Sequence, residues 1–190
     1  MKLILGSQSK WRAKELEKAG FVFETMSANI DEKAIRHSDP EKLVSVLAHA
    51  KAEALRNQIV EPALLITTDQ VVVCDGKIRE KPVDEAEARI FLNSYLEHPA
   101  EVVNGVVVTN TLTGKQVDGI DRAKVFYKST LGTAIEELIS KGDVMTCGGA
   151  FQAEDPTMLA HTARIEGGLD SFTGMPIGLV TRLLAEAQAD

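Results

Sequence analysis

The chain has 190 residues, 28 of them Asp or Glu against 21 Lys or Arg, for a formal net charge of −7. With 44% hydrophobic and 26% charged residues its composition is ordinary for a globular protein, which excludes a disordered or fibrous chain. The length points to a single domain over 1–190. An acidic balance argues against a surface that coats nucleic acid, while a local basic cluster could still hold a small anion. Cys74 and Cys147 lie far apart with no C-x-x-C, so no disulfide framework is expected, as suits a reducing compartment. The apolar stretch after Lys2 is only Leu3-Ile4-Leu5, too short for a signal-peptide core, and no run approaches the ~18 to 20 residues of a membrane span. A cytoplasmic chain without a membrane partner is expected.

Taken in order, Lys2–Leu5 reads as a short buried strand that enters the polar turn Gly6-Ser7-Gln8-Ser9. A helix from about Lys10 to Ala19 follows, closed by Gly20, and then a strand over Phe21–Met26. Asp39-Pro40 starts a helix whose Leu43, Leu47, Ala50 and Ala54 share one face. Leu64–Thr67 and Val71–Cys74 are apolar runs separated by Thr68-Asp69-Gln70, and Asp75-Gly76 signals a hairpin. A helix over Asp84–Tyr95, a strand over Val102–Thr109, a turn at Thr111–Gly114 and a strand near Arg122–Tyr127 come next. A helix over Leu131–Lys141, a strand near Leu159–Ile165 and a helix after Pro176 complete the series. Interleaved helices and hairpins predict a mixed sheet of α/β or α+β type.

Several polar residues stand where the pattern does not ask for them. The Gly6–Ser9 turn, running from a strand into a helix, gathers backbone amides and hydroxyls at one point, with Arg12 a turn further on. That suits a phosphate, or Ser9 merely caps the helix. Lys51 lies about 40° from Leu47 on a wheel of 100° per residue, inside the apolar stripe. It either snorkels to the rim or needs an anionic partner. Asp69 sits between two apolar runs, as an Asx-turn or as a metal ligand or general base. Glu32 and Lys81 alone would pass as surface residues, although Pro82 holds Lys81 extended. The four histidines show no metal-ligand spacing, and neither P-loop, dinucleotide-binding nor G-x-S-x-G patterns occur. Any metal would be held by oxygen, as Mg²⁺ or Mn²⁺.

Gly6-Ser7-Gln8-Ser9 with Arg12, Ile30-Asp31-Glu32, and Leu47-Ala48 through Lys51-Ala52 are followed by Thr68-Asp69-Gln70-Val71-Val72-Val73 and Glu80-Lys81-Pro82. Gly148-Gly149-Ala150-Phe151 and Ile165 through Gly174-Met175-Pro176 then follow. In this order they resemble the Maf family of nucleoside triphosphate pyrophosphatases over almost the whole chain. The resemblance implies two lobes on a long mixed sheet flanked by helices, around a nucleotide-binding cleft. It implies hydrolysis between the α and β phosphates with Mg²⁺ or Mn²⁺, homodimers as a common assembly, and a link to septum formation. It makes Asp69 the proton acceptor, Asp69 and Glu32 the metal ligands, and Ser7, Ser9, Arg12, Lys51 and Lys81 the residues that meet the phosphates.

Lys10 and Ala13 depart from the family's commonest pattern, and Asn104 replaces Thr before Gly105. Trp11, Gln70, Cys147 and Glu154 resemble the branch that prefers 7-methyl-GTP, with Trp11, Gln70 and Glu154 at the substrate. An indole face attracts the cationic methylated base, and a carboxylate accepts from both N1–H and N2–H₂ of guanine. Otherwise Trp11 packs in the core and Glu154 lies in an exposed turn. The alternatives are the same reaction on dTTP or UTP, a non-catalytic nucleotide-binding regulator of septum formation, and a phosphatase that removes the terminal phosphate.

Overall fold

The computed structural model describes residues 1–189. Seven strands form one mixed sheet: β1 (Lys2–Leu5), β2 (Glu24–Thr25), β3 (Ala63–Cys74), β4 (Lys77–Arg79), β5 (Ala100–Asn110), β6 (Gln116–Tyr127) and β7 (Thr162–Glu166). Their order is β2-β1-β3-β5-β6-β7, with β4 paired to β3. β1 runs parallel to both β2 and β3, with Leu5 opposite Ile66, whereas β3/β4 and β6/β7 are antiparallel. The helices are α1 (Lys10–Lys18), α2 (Pro40–Arg56), α3 (Glu85–Ser94), α4 (Ile135–Lys141), α5 (Pro156–Ala160) and α6 (Ile177–Gln188). The expected mixed sheet flanked by helices is observed.

The chain divides into two compact units. The first holds Met1–Gln70, Asn104–Asp121 and Leu169 onward, and the second Val71–Val103 and Arg122–Gly168. In the first, the sheet is covered on both faces. Leu5, Leu64, Ile66 and Val106 pack with Leu16 of α1 and with Val180 and Leu183 of α6. Ile4, Leu65 and Val107 pack with Ala48, Ala52 and Leu55 of α2. Strand alternation sends successive residues to opposite cores, which is why the strands read as continuous apolar runs. In the second unit Tyr95 is fully buried, its ring 6.2 Å from Tyr127 and 6.0 Å from Phe151, and its hydroxyl donates to Gly149 O at 2.7 Å. Burial pushes both the Tyr95 and Tyr127 phenols well above the usual range.

Five expectations need correction. The strand expected near Arg122–Tyr127 begins already at Gln116. The strand over Phe21–Met26 shrinks to Glu24–Thr25, because the Phe21 amide donates to Leu16 O to close α1 and Val22 is 91% exposed. The two apolar runs around Asp69 are one strand, since each polar side chain between them finds a partner and the ladder need not break. The helix over Leu131–Lys141 begins as a 3₁₀ segment, Ser129–Ala134, before α4. The strand near Leu159 starts only at Thr162, because Asp155 caps α5 by accepting from the Thr157 and Met158 amides, with Pro156 in the first turn. The hairpin at Asp75-Gly76 holds, with φ of 50° and 67°, the signs a type I′ turn requires.

Candidate active site

The site is organised by β3, whose polar residues alternate between its two faces. On the α2 side, Thr67 Oγ1 donates to Ala48 O at 2.8 Å and Asp69 Oδ1 accepts from Lys51 Nζ at 2.6 Å. On the other side, Thr68 Oγ1 donates to Gly174 O at 3.2 Å, and Gln70 Nε2 donates to Asn104 Oδ1 at 3.0 Å and to Ser171 O at 2.9 Å. Asp69 therefore lies in a strand, which excludes the Asx-turn reading.

Lys51 does not snorkel to water. It is 8% exposed, and besides Asp69 its ammonium meets Glu32 Oε1 at 3.0 Å. Glu32 opens the 3₁₀ turn Glu32–Ala34, which Asp31 caps by accepting from the Lys33 and Ala34 amides at 3.1 and 3.3 Å. The Glu32 side chain is 54% exposed while Asp69 is only 7% exposed, so one carboxylate is wet and the other nearly dry. Burial raises the Asp69 carboxyl above the usual range, Lys51 and Arg12 oppose that rise, and the Glu32 charge adds to it.

Arg12 projects from the first turn of α1. Its Nη1 donates to Thr68 O at 3.1 Å and to Ser7 Oγ at 3.4 Å. Ser7 Oγ also accepts from the Ser9 amide at 3.2 Å, and Ser9 caps α1 by accepting from the Arg12 amide at 3.4 Å. Burial lowers the Arg12 pKa from its ordinary value, while the Asp69 and Glu32 charges act the other way. The guanidinium stays a cation, because its ordinary value is so high. Gly174, at φ +79°, is the floor beneath it: a Cβ there would lie 2.8 Å from Arg12 Nε and 3.1 Å from Nη2. Trp11 is half exposed, with Lys14 Nζ 5.5 Å from its ring centroid, so it is not a core residue.

The first unit thus assembles Ser7, Ser9, Arg12, Glu32, Lys51 and Asp69 from four separate segments. Gln70 belongs to the same unit with its amide hydrogens committed internally. Lys81 and Glu154 belong to the second unit, both exposed, Lys81 just beyond β4 and Glu154 in the turn before α5. Cys147, half-buried there, donates to Asp143 O at 3.6 Å; burial raises its thiol, with Lys81 acting against the rise. Sequence reasoning did not find Thr68, Asn104, Asp121, Ser171 or Gly174 as parts of this framework. The available signal was Asn104 itself, a buried amide in an apolar strand, the same anomaly that singled out Asp69.

Among the described residues no group of three His, Cys, Asp or Glu side chains converges on one point, and none of the four histidines is buried. Asp69 and Glu32, joined through Lys51, supply carboxylate oxygens from two segments. One or two carboxylates, completed by phosphate oxygens and water, is the donor set that Mg²⁺ ordinarily takes, so the residues present fit such an ion. No helix among the described residues is long and apolar enough to cross a membrane.

A mixed α/β sheet that carries a buried lysine–carboxylate pair and a seated arginine defines a protein equipped to handle a compact anion beside a base. The chain belongs to the Maf family: the family described as Maf-like protein matches residues 2–187. It is 44% identical to a protein of Dictyostelium discoideum named 7-methyl-GTP pyrophosphatase, over 97% of this chain and 96% of that one. A Vibrio vulnificus protein of the same name is 32% identical over 97% and 94% of the two chains. A Clostridium perfringens (strain 13 / Type A) protein named dTTP/UTP pyrophosphatase is 34% identical over 97% and 96%.

Proposed function

We propose that this chain, acting as one catalytic domain over 1–190, hydrolyses a nucleoside triphosphate to a monophosphate and pyrophosphate, with 7-methyl-GTP favoured. The observation that carries this is the Lys51–Asp69 pair, a carboxylate held almost dry, with a second carboxylate and the Arg12 guanidinium acting on it. Burial makes Asp69 a stronger base than a free aspartate, and Lys51 keeps it ionised until a proton arrives. Water loses its proton to Asp69 and attacks the α phosphorus, and the bond from that phosphorus to the bridging oxygen breaks, releasing pyrophosphate. Arg12 and Ser7 at the α1 entrance, with Lys51, offset the phosphate charge, and Lys81 joins them on the strength of the family resemblance. Asp69 and Glu32 would hold Mg²⁺ or Mn²⁺, which supplies further positive charge to the phosphates when bound.

The preference for 7-methyl-GTP rests on Trp11, whose half-exposed ring offers a face to a cationic base, on Glu154 as an exposed acceptor, and on the 44% identical relative. A homodimer in the cytoplasm, with no nucleic-acid partner, belongs to the same proposal. The test is a panel of 7-methyl-GTP, GTP, UTP, dTTP, CTP and ATP with Mg²⁺ or Mn²⁺, following monophosphate, pyrophosphate and orthophosphate. Pyrophosphate as the direct product, lost by about 10²–10⁴-fold in Asp69→Asn, is the expected result. UTP or dTTP leading the panel transfers the activity to pyrimidines and removes Trp11 and Glu154 as base readers. Tight nucleotide binding without turnover converts the protein to a regulator, and orthophosphate as direct product makes it a phosphatase.

A further inference from the structure

Asn104 is completely buried in β5, yet its side chain makes three hydrogen bonds: Nδ2 donates to Asp121 Oδ2 at 3.0 Å and Ser171 O at 2.9 Å, and Oδ1 accepts from Gln70 Nε2 at 3.0 Å. The direction of this chain follows from chemistry. A backbone carbonyl and an ionised carboxylate only accept, so the nitrogen of Asn104 must face Ser171 and Asp121, and its oxygen is left for Gln70. Gln70 is fixed in turn, since its Nε2 also faces Ser171 O at 2.9 Å and Phe172 O at 3.4 Å. Both amides therefore grip the 3₁₀ turn Asp170–Thr173 from the sheet side, and two further bonds hold its ends. Ile177 N donates to Asp170 Oδ2 at 2.6 Å, and Thr68 Oγ1 donates to Gly174 O at 3.2 Å. Gly174, the residue that ends the turn, lies directly against the Arg12 guanidinium.

We infer that Asn104, oriented by Asp121, is a positioning residue: through Gln70 and the 170–174 turn it holds the surface on which the Arg12 guanidinium is seated. A packed side chain alone would not need this arrangement. A buried amide is costly to desolvate and is satisfied here because its two acceptors, Ser171 O of the turn and Asp121 Oδ2 of β6, and its one donor, Gln70 Nε2, all meet it. The inference rests on the proposed role of Arg12 at the phosphates, but its geometry does not.

The experiment is a double-mutant cycle on the full chain, Asn104→Ala with Arg12→Ala, measured as kcat/KM for the best nucleotide, together with the ¹⁵N heteronuclear NOE of Arg12 Nε–H. Asn104→Ala is expected to lower kcat/KM about tenfold where Arg12 is present, and to have less than about a twofold effect where Arg12 is already Ala. The Arg12 Nε–H signal is expected to lose the NOE of an ordered group. Asp121→Asn still offers an amide oxygen to Asn104 and is expected to retain activity within about twofold, whereas Asp121→Leu behaves as Asn104→Ala. Equal losses in both Arg12 backgrounds, or an Arg12 NOE unchanged by Asn104→Ala, overturn the inference. If Asn104→Ala gives no cooperative melt, Asp121→Leu carries the same cycle. If the wild-type chain turns over no nucleotide, the proposed function fails, and the NOE alone decides the positioning role.

Discussion

Replacing Lys51 with Met keeps most of the stem that packs along α2 and removes the charge that meets Asp69 at 2.6 Å and Glu32 at 3.0 Å. Glu32 is half in water and loses little. Asp69, 7% exposed, is left as a buried carboxylate with only the Arg12 charge to oppose its desolvation. Breaking a buried ion pair by removing one member costs about 3–5 kcal/mol, a large share of the ~5–15 kcal/mol that stabilises a typical domain. The cost depends on pH, with a definite sign. Burial already raises the folded Asp69 carboxyl above its usual 3.8, and Lys51→Met raises it further. An acid with a raised folded pKa favours the fold below its unfolded pKa and withdraws that support as pH rises through the folded value. The destabilisation by Lys51→Met is therefore smallest near pH ~4 and grows with pH, by up to about 1.4 kcal/mol for each unit of added shift. Urea denaturation of both proteins at a series of pH values from ~4 upward measures it. A loss below about 1 kcal/mol, or one that does not change with pH, would show that Asp69 finds water or another cation and that Lys51 is not its main partner.

Other perturbations separate the remaining roles. Trp11→Ala is expected to reduce discrimination between 7-methyl-GTP and GTP by about two- to thirtyfold, the range of a cation–π contact of ~0.5–2 kcal/mol, and to shift the melting curve little because the ring is half exposed. Unchanged discrimination removes the indole from base recognition. Gly174→Ala forces a Cβ at φ +79° and into the guanidinium of Arg12. It is expected to cost about 1–3 kcal/mol of stability and to lower kcat/KM about tenfold, measured by melts and steady-state kinetics. Exhaustive chelation is expected to stop turnover and Mg²⁺ or Mn²⁺ to restore it; turnover that survives chelation eliminates the Asp69–Glu32 metal site.

Much of the first unit was legible in sequence because its signals are local. The Asp39-Pro40 cap needs only neighbouring residues and forms as expected, as does the Asp75-Gly76 turn of the second unit. The α2 stripe is right at Leu43 and Leu47 but runs on through Ala48, Lys51, Ala52 and Leu55 rather than through Ala50 and Ala54, which are half-buried. The same Asp-Pro signal recurs at Asp155-Pro156, and the β-branched and apolar residues that follow it drew the strand assignment too early. Asp69 was legible as an anomaly, but not its setting: the run of polar residues suggested a turn, because the partners that keep the strand intact come from elsewhere in the chain. Ala48 and Lys51 lie about 20 residues away, and Gly174 more than 100. Asn104 was noticed only as a departure from a family pattern, since its meaning depends on Asp121 and Ser171, which no local pattern connects to it.

The run Thr67-Thr68-Asp69-Gln70 also shows why one member of the four stands out. All four sit in one strand between well-packed cores, where each polar group must be satisfied or costs stability. Thr67, Thr68 and Gln70 are neutral and donate to backbone carbonyls, which tie α2 and the 170–174 turn to the sheet. Those bonds account for their presence as structure. Asp69 differs in kind, because its partner is a lysine that must itself be buried to reach it, and two neutral residues of similar size could fill that space at less desolvation cost. The proposed function supplies what a neutral pair would lack: a charged pair there, with Glu32 on the same ammonium and Arg12 donating to the Thr68 carbonyl of the same strand, can take up a proton beside a cation.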